Sequence, residues 1–289
     1  MSIAPPDTIR RIVYLGTPGL AVPPLRALLA AGYEIPLVVS RADARRGRGK
    51  QLTPSPVKAA AIEAGLPVTD DLSEVGPLDA DLAVVVAYGR IVPAWLLEQL
   101  SFVNIHFSLL PRWRGAAPVE RAILAGDTTT GVCLMDLAEE LDTGAIYRRT
   151  ETPIRDDETL DELRGRLVDI GVEQLIDALR DGLGSPLPQV GNAVYAPKIT
   201  AAEREIDWSQ PAVAVHRRVR VGGAFTVWNG KRLKIHHARV AEPGVAGVVV
   251  PTGDGFLELL EVQAEGKPRM DAAAWANGAR WSADQVFGS

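Results

Sequence analysis

Asn104 and His106 stand two residues apart in Val103 to Phe107, an apolar run that reads as a strand, so their side chains leave the same face. The turn Ser108-Leu109-Leu110-Pro111 follows at once, which places the pair at the carboxyl end of the strand, where open α/β sheets bind ligands. An amide and a titratable imidazole set side by side are able to work on a polar group, although spacing alone accounts equally well for a satisfied core pair. Asp142, in the turn Leu141-Asp142-Thr143-Gly144, could reach the same crevice, and a turn-forming Asx residue explains it equally well. No metal site is expected. His236 and His237 point to opposite faces of a strand, His216 sits in a basic run, and Cys133 has no companion at ligand spacing.

Two glycine-containing turns could meet an anion. Gly16-Thr17-Pro18-Gly19 closes a first strand and opens a helix, but it lacks the three-glycine dinucleotide spacing. Gly47-Arg48-Gly49-Lys50 misses the spacing of a phosphate loop. Neither supports a nucleotide cofactor.

The elements that must position these residues alternate between short apolar runs and helical patterns, as a parallel α/β sheet requires. Strands are expected at Ile12 to Leu15, Leu37 to Val39, Leu82 to Ala87 and Val103 to Phe107, then at Gly131 to Leu137 and Ala145 to Arg148. Ser55 can cap a helix that has Pro56 at its first position and Gly65 past its end. Further helices are expected after Gly19, over Pro93 to Leu100 and over Ala117 to Ala125. A long amphipathic helix carries Leu160, Leu163, Leu167, Ile170 and Leu179 on one stripe and stops near Gly182. Gly182 to Gln189 is rich in Gly and Pro, the composition of a domain boundary. Beyond it the pattern is nearly all strand, with turns at Asn229-Gly230 and Gly253-Asp254-Gly255 and one short helix over Asp271 to Ala276. A small oligonucleotide-binding (OB-like) β-barrel fits that spacing. The expected organisation is a domain over 1–188, a linker over 189–204 and the barrel over 205–289.

With 289 residues, 47% of them apolar and 23% charged, the chain is an ordinary globular protein rather than a disordered or fibrous one. A lone cysteine and no leader-like start point to the cytoplasm. No apolar run approaches the roughly 18 residues that cross a bilayer. The net charge of −5 conceals strong local asymmetry. Residues 41–50 carry +4 and residues 198–240 carry +6, whereas residues 139–181 carry −7. A nucleic acid could be held by the basic pieces and repelled elsewhere.

The run from Asn104 to Pro118, Asn-Ile-His-Phe-Ser-Leu-Leu-Pro-Arg-Trp-Arg-Gly-Ala-Ala-Pro, with Leu141-Asp142-Thr143-Gly144 downstream, resembles the two-part signature of the formyltetrahydrofolate-dependent formyltransferases. Leu15-Gly16-Thr17-Pro18, the stretch Arg45 to Lys50 before Pro54-Ser55-Pro56, Tyr195-Ala196-Pro197-Lys198-Ile199 and Ile206-Asp207-Trp208 are similar to the branch of that family acting on methionine esterified to initiator tRNA. The likeness runs nearly end to end.

The resemblance implies a Rossmann-like catalytic domain followed by a barrel, with 10-formyltetrahydrofolate as co-substrate, methionyl initiator tRNA as partner, no metal, no membrane and a monomer. Its catalytic residues map onto Asn104, His106 and Asp142. An amine attacking a formyl carbonyl creates an oxyanion that the Asn104 amide and a His106 N–H can stabilise, and His106 or Asp142 could accept the amine proton while Asp142 orients His106. The folate pocket maps onto Tyr88, Gly89, Arg90, Ile91, Ser108, Leu109, Leu110 and Pro111, with backbone amides reading the pterin. The tRNA contacts map onto Arg41, Arg45, Arg46, Arg48 and Lys50 in the loop after the second strand, and onto Lys198, Arg217, Arg218, Arg220, Lys231, Arg232 and Lys234 in the second domain.

The chain departs from the family at two places. Arg220-Val221 runs directly into Gly222-Gly223-Ala224-Phe225-Thr226 where a longer segment is usual, and Phe107 replaces a small residue. Two other readings compete: a formyltransferase for a small amine, such as a nucleotide-linked amino sugar or glycinamide ribonucleotide, and a catalytically silent tRNA-binding protein. The basic loop and basic second domain weigh against the first, and the intact Asn104, His106 and Asp142 against the second.

Overall fold

The computed structural model describes residues 3–45, 52–282 and 287. Its contacts divide the chain into two compact units, one made of Met1–Pro118, Thr129–Pro153 and Arg164–Ala196, the other of Val119–Thr128, Ile154–Leu163 and Pro197–Ser289.

In chain order the elements begin with β1 (Ile12–Gly16), α1 (Val22–Ala30), β2 (Val38–Val39), β3 (Ala44–Arg45), β4 (Leu52–Thr53), α2 (Pro56–Glu63), β5 (Val68–Thr69) and β6 (Leu82–Val86). They continue with α3 (Ala94–Leu97), β7 (Phe102–His106), β8 (Arg112–Gly115), α4 (Pro118–Ala125), β9 (Thr129–Asp136), β10 (Ile146–Pro153), α5 (Leu160–Asp181) and β11 (Val194–Ala196). Seven strands of the described residues form one sheet in the order β10-β9-β7-β6-β1-β2-β5. Every residue of β1, β6 and β7 is buried, as central strands covered on both faces must be. Helix α2 starts as its sequence dictates: the Ser55 side chain accepts from the Lys58 amide, Pro56 takes the first turn, and Gly65 follows with a positive φ of 70°. Helix α3 covers only Ala94–Leu97 of the stretch expected to be helical.

The sheet is mixed, not parallel throughout. Strands β7, β6, β1, β2 and β5 run parallel, whereas β9 is antiparallel to β7 and β10 to β9. The register gives the reason. His106 lies opposite Cys133 and Val103 opposite Asp136, so the chain enters β9 from the end at which β7 finishes, without returning to the start of β7. Side-chain alternation reads identically in either direction, and an apolar run such as β9 carries no sign of its orientation.

The second unit contains α6 (Ala212–Val221), β12 (Phe225–Trp228), β13 (Lys231–Ala241), β14 (Val248–Pro251), β15 (Phe256–Ala264), β16 (Met270–Asp271) and α7 (Ala272–Ala279). Its five described strands form an antiparallel sheet in the order β12-β13-β15-β14, with β16 against β15. Both turns fall where the glycines require them, at Asn229-Gly230 and before Phe256. Helix α6 departs from the strand pattern expected here. Four valines suggest a strand, yet Ala212, Val215, His216 and Val219 are the buried positions, and that spacing is helical. Trp208, Trp275 and Trp281 stack on Phe287, and Trp228 meets it edge-on, at ring-centre distances of 5.3 to 6.2 Å.

Candidate active site

Asn104 and His106 leave one face of β7, the inner strand between β6 and β9, and both are buried. The His106 ring is fixed at two edges. Its Nε2 lies 2.9 Å from the Trp113 carbonyl; a carbonyl only accepts, so Nε2 carries the proton and donates it. Its Nδ1 faces the Asp142 carboxylate, with Oδ2 at 3.7 Å and the two side chains 6% and 11% exposed. That separation is longer than a hydrogen bond.

Reaching His106 obliges the chain between β9 and β10 to fold back. The end of β9, Asp136, lies opposite Val103, three residues before His106, so the turn carrying Asp142 must run back along the sheet. A glycine makes this possible: a Cβ on Gly144 would collide with the Asp136 carbonyl. Asp142 adopts a left-handed conformation, φ 53°, and its Oδ2 accepts the Gly115 N–H at 2.7 Å. Gly115 has φ 115°, and a Cβ there would lie 3.1 Å from the Ala196 carbonyl. Of the five non-glycine residues with positive φ among the described residues, three surround this crevice: Ala87 after β6, Trp113 in β8 and Asp142. Backbone strain of this kind gathers at functional sites.

Two segments border the pair. Ser108 donates to the Arg112 carbonyl at 2.7 Å, and the Leu110–Pro111 peptide is cis. Ser108, Leu110 and Pro111 are buried and Leu109 half-buried. In the other segment the Tyr88 carbonyl accepts from Thr17 Oγ1 at 2.9 Å, and Arg90 Nη1 donates to the Asp70 carbonyl at 2.9 Å. Gly89 has φ 79°. Burial pushes the Tyr88 phenol up, against the opposing pull of Arg90 and Arg41, so it stays protonated at neutral pH. Tyr88 is buried, whereas Gly89, Arg90 and Ile91 are exposed, Ile91 at 79%. Burial likewise raises the Cys133 thiol, opposed by the Leu110 backbone amide and Arg149, which makes it packing rather than a nucleophile. Among the described residues no group of three or more His, Cys, Asp or Glu could hold a metal ion.

Residues 10–179 match the family model described as formyl transferase, and residues 198–280 that described as formyl transferase, C-terminal domain. A methionyl-tRNA formyltransferase of Jannaschia sp. is 45% identical, covering 93% of this chain and 97% of its own. The chain belongs to the methionyl-tRNA formyltransferase family. A second family member, from Symbiobacterium thermophilum, is 42% identical over 93% of this chain and 92% of its own. Among solved structures, an N-formyltransferase from Helicobacter canadensis, in complex with folinic acid and dTDP-3-aminofucose, shares the fold. It has a TM-score of 0.66 at 19% identity, over 89% of this chain and 99% of that one. HypX from Aquifex aeolicus in complex with tetrahydrofolic acid gives the same TM-score and identity over 97% of this chain, which spans 50% of that longer protein.

The residues assigned to tRNA by family likeness fall into four groups. Arg46, Arg48 and Lys50 lie outside the described residues. Arg41 and Arg45 are exposed, and the Arg41 guanidinium lies beside Gly89, 4.0 Å from where a Cβ would stand. In the second unit Lys198, Lys231, Arg232 and Lys234 are exposed, with Arg232 stacked 3.9 Å over the Phe225 ring. Helix α6 holds the rest. Arg218 donates to the carbonyls of Glu203 and Glu205 at 2.7 and 2.6 Å, and Arg220 to those of Glu158 and Arg155, both at 2.8 Å. These two guanidiniums already hold backbone. Arg217 lies against Gly126, where any Cβ would strike its guanidinium.

Trp113, Arg114, Gly115 and Gln189 shape the site without having been marked as functional by residue type. Trp113 and Gly115 act through backbone groups. Gln189 reaches the Asp142 turn from a stretch expected to be a linker, and β11 pairs with β8, so the first part of 189–204 belongs to the first unit.

Proposed function

We infer that the chain transfers a formyl group from 10-formyltetrahydrofolate to the α-amine of methionyl initiator tRNA, giving the formylated initiator for translation. The convergence of His106 and Asp142 at the end of β7, beside Asn104, carries this reading, together with family members matched over nearly their whole length. In the reaction the amine nitrogen bonds to the formyl carbon, the bond from that carbon to N10 of the folate breaks, and the proton lost by the amine balances the one N10 gains. Asn104 donates its amide N–H to the carbonyl oxygen as negative charge develops there. Because Nε2–H is spent on Trp113, His106 exchanges a proton only at Nδ1, the edge facing Asp142. The proton therefore passes by way of the Nδ1–Asp142 edge, with the carboxylate held in place by the Gly115 amide.

The segments Tyr88–Ile91 and Ser108–Pro111 form the folate pocket in this reading. The buried side chains of Ser108, Leu110 and Pro111 and the positive φ of Gly89 leave main-chain groups of both turns to recognise a flat pterin. Residues 1–188, with the 189–196 stretch that joins the first unit, act as the catalytic domain, the rest of 189–204 as its connection and 205–289 as an OB-like barrel that contacts tRNA. The register shifts in β13 at Ile235/His237 and His237/Ala238 supply the bending that closure of a small barrel requires. Arg41, Arg45 and the exposed cations of the second unit contact phosphates. The chain works as a cytoplasmic monomer; no helix among the described residues is long and apolar enough to cross a membrane.

The test is formyl transfer to methionyl initiator tRNA, with methionyl elongator tRNA alongside and salt varied. Formylation of the initiator alone, weakening steeply with salt, is the expected result. Transfer to an amino sugar or glycinamide ribonucleotide instead, or tRNA binding without turnover, would overturn it.

A further inference from the structure

The side-chain amide of Gln189 is fully committed. Its Nε2 donates to the carbonyls of Asp142 and Gly144, each at 2.8 Å, and its Oε1 accepts from Nε and Nη2 of Arg114 at 3.1 and 2.6 Å. A primary amide has two N–H groups and two lone pairs, and all four are used on these partners. Arg114 immediately precedes Gly115, whose N–H holds the Asp142 carboxylate. The 114–115 dipeptide thus grips Asp142 twice, at its carboxylate directly and at its backbone through Gln189. The second grip is needed because Asp142 sits at φ 53°, a conformation that a non-glycine residue keeps only when its surroundings fix it.

We propose that Gln189, fixed by Arg114, is a positioning residue that holds the Asp142 turn so that Oδ2 faces His106 Nδ1. The inference rests on the reading above, in which that pair handles the proton. It differs from a plain tether between the 187–196 stretch and the turn, because a tether affects stability and leaves the chemical step alone.

The experiment uses the full chain with 10-formyltetrahydrofolate and methionyl initiator tRNA. Wild-type protein that shows no transfer would sink the functional reading itself. With wild type active, Gln189→Glu keeps an acceptor for Arg114 and loses both donated bonds. Its kcat is expected to fall about 10- to 100-fold, the cost of a small misplacement near the chemistry, while KM for each substrate changes little. A crystal structure of the variant is expected to show the Asp142 carboxylate displaced from the Gly115 amide. An unchanged kcat, a loss confined to KM, or a reduced kcat with the carboxylate still seated on Gly115 would each overturn the proposal. Should Gln189→Glu fail to fold, Arg114→Lys serves in its place: it retains Gln189 but removes the fork that fixes it. A smaller loss of kcat at constant KM supports the inference, and wild-type kcat refutes it.

Discussion

His106 has one committed edge and one working edge, and the division between them comes from a backbone carbonyl. Trp113 takes Nε2–H, which leaves Nδ1 toward Asp142, so in the proposed reaction the oxyanion is assigned to Asn104. Asn104→Ala is therefore expected to lower kcat about 100- to 1000-fold, measured as single-turnover formyl transfer, with KM nearly unchanged. A loss below about tenfold would remove Asn104 from the oxyanion role. The three polar side chains were legible in the sequence because their types and spacing carry meaning: Asn104 and His106 share a strand face, and Asp142 occupies a recognisable turn. Their supports were not. The Gly115 N–H and the Trp113 carbonyl are groups every residue of their kind possesses, and Gln189 stands 47 residues from Asp142, beyond any local pattern.

At the scale of elements, the sequence exposed those whose ends are chemically marked and concealed those defined by a distant partner. Ser55-Pro56 opens α2 and Asn229-Gly230 turns β12 into β13, and both follow from local chemistry alone. The direction of β9 depends on where the chain stands when it rejoins the sheet, and α6 depends on which valines meet the core; neither is written locally. Thr200 and Glu203 are a marked end of the same kind. The Thr200 amide donates to Glu203 Oε2 at 2.9 Å and the Glu203 amide to Thr200 Oγ1 at 3.3 Å, a reciprocal cap on the short helical turn Ala202–Arg204. Arg121 of α4 adds a fork to the same carboxylate at 2.6 and 3.3 Å. The Arg121 hydrogen bond first, then that of the Thr200 amide, lowers the Glu203 carboxyl from 4.5 to about 2. A depressed carboxyl stabilises the fold fully above its unfolded value, and that contribution is lost as pH falls from about 4.5 toward 2. With the Glu203 side chain 36% exposed, solvent screening holds the pair to no more than about 1 kcal/mol, or about 2 to 4 °C in Tm. Glu203→Gln should accordingly unfold at a lower temperature than wild type at pH 6, and the gap should narrow toward pH 2.5. A gap independent of pH would show that the ion pair contributes nothing.

Over the whole molecule, a net charge of −5 coexists with affinity for a polyanion because the cations are segregated, with +6 over residues 198–240 against −7 over residues 139–181. The structure divides those cations further by what their heads already hold. Arg218 and Arg220 bind backbone carbonyls and so serve the fold, whereas Lys198, Lys231 and Lys234 expose their side chains and are available to phosphates. Sequence counting weighs all of them equally, since charge is legible in the chain but commitment is not. The two groups should separate when tRNA affinity is followed against salt. Replacing Lys231 and Lys234 by Gln should reduce the slope of log K against log salt by about one for each phosphate no longer neutralised, leaving Tm nearly unchanged. Arg218→Ala should do the reverse: it forfeits two charge-assisted hydrogen bonds, lowering stability by about 1 to 3 kcal/mol, while the salt slope stays at the wild-type value. If Arg218→Ala flattens the slope as the lysine pair does, its guanidinium leaves the carbonyls for the nucleic acid on binding, and α6 is part of the tRNA surface after all.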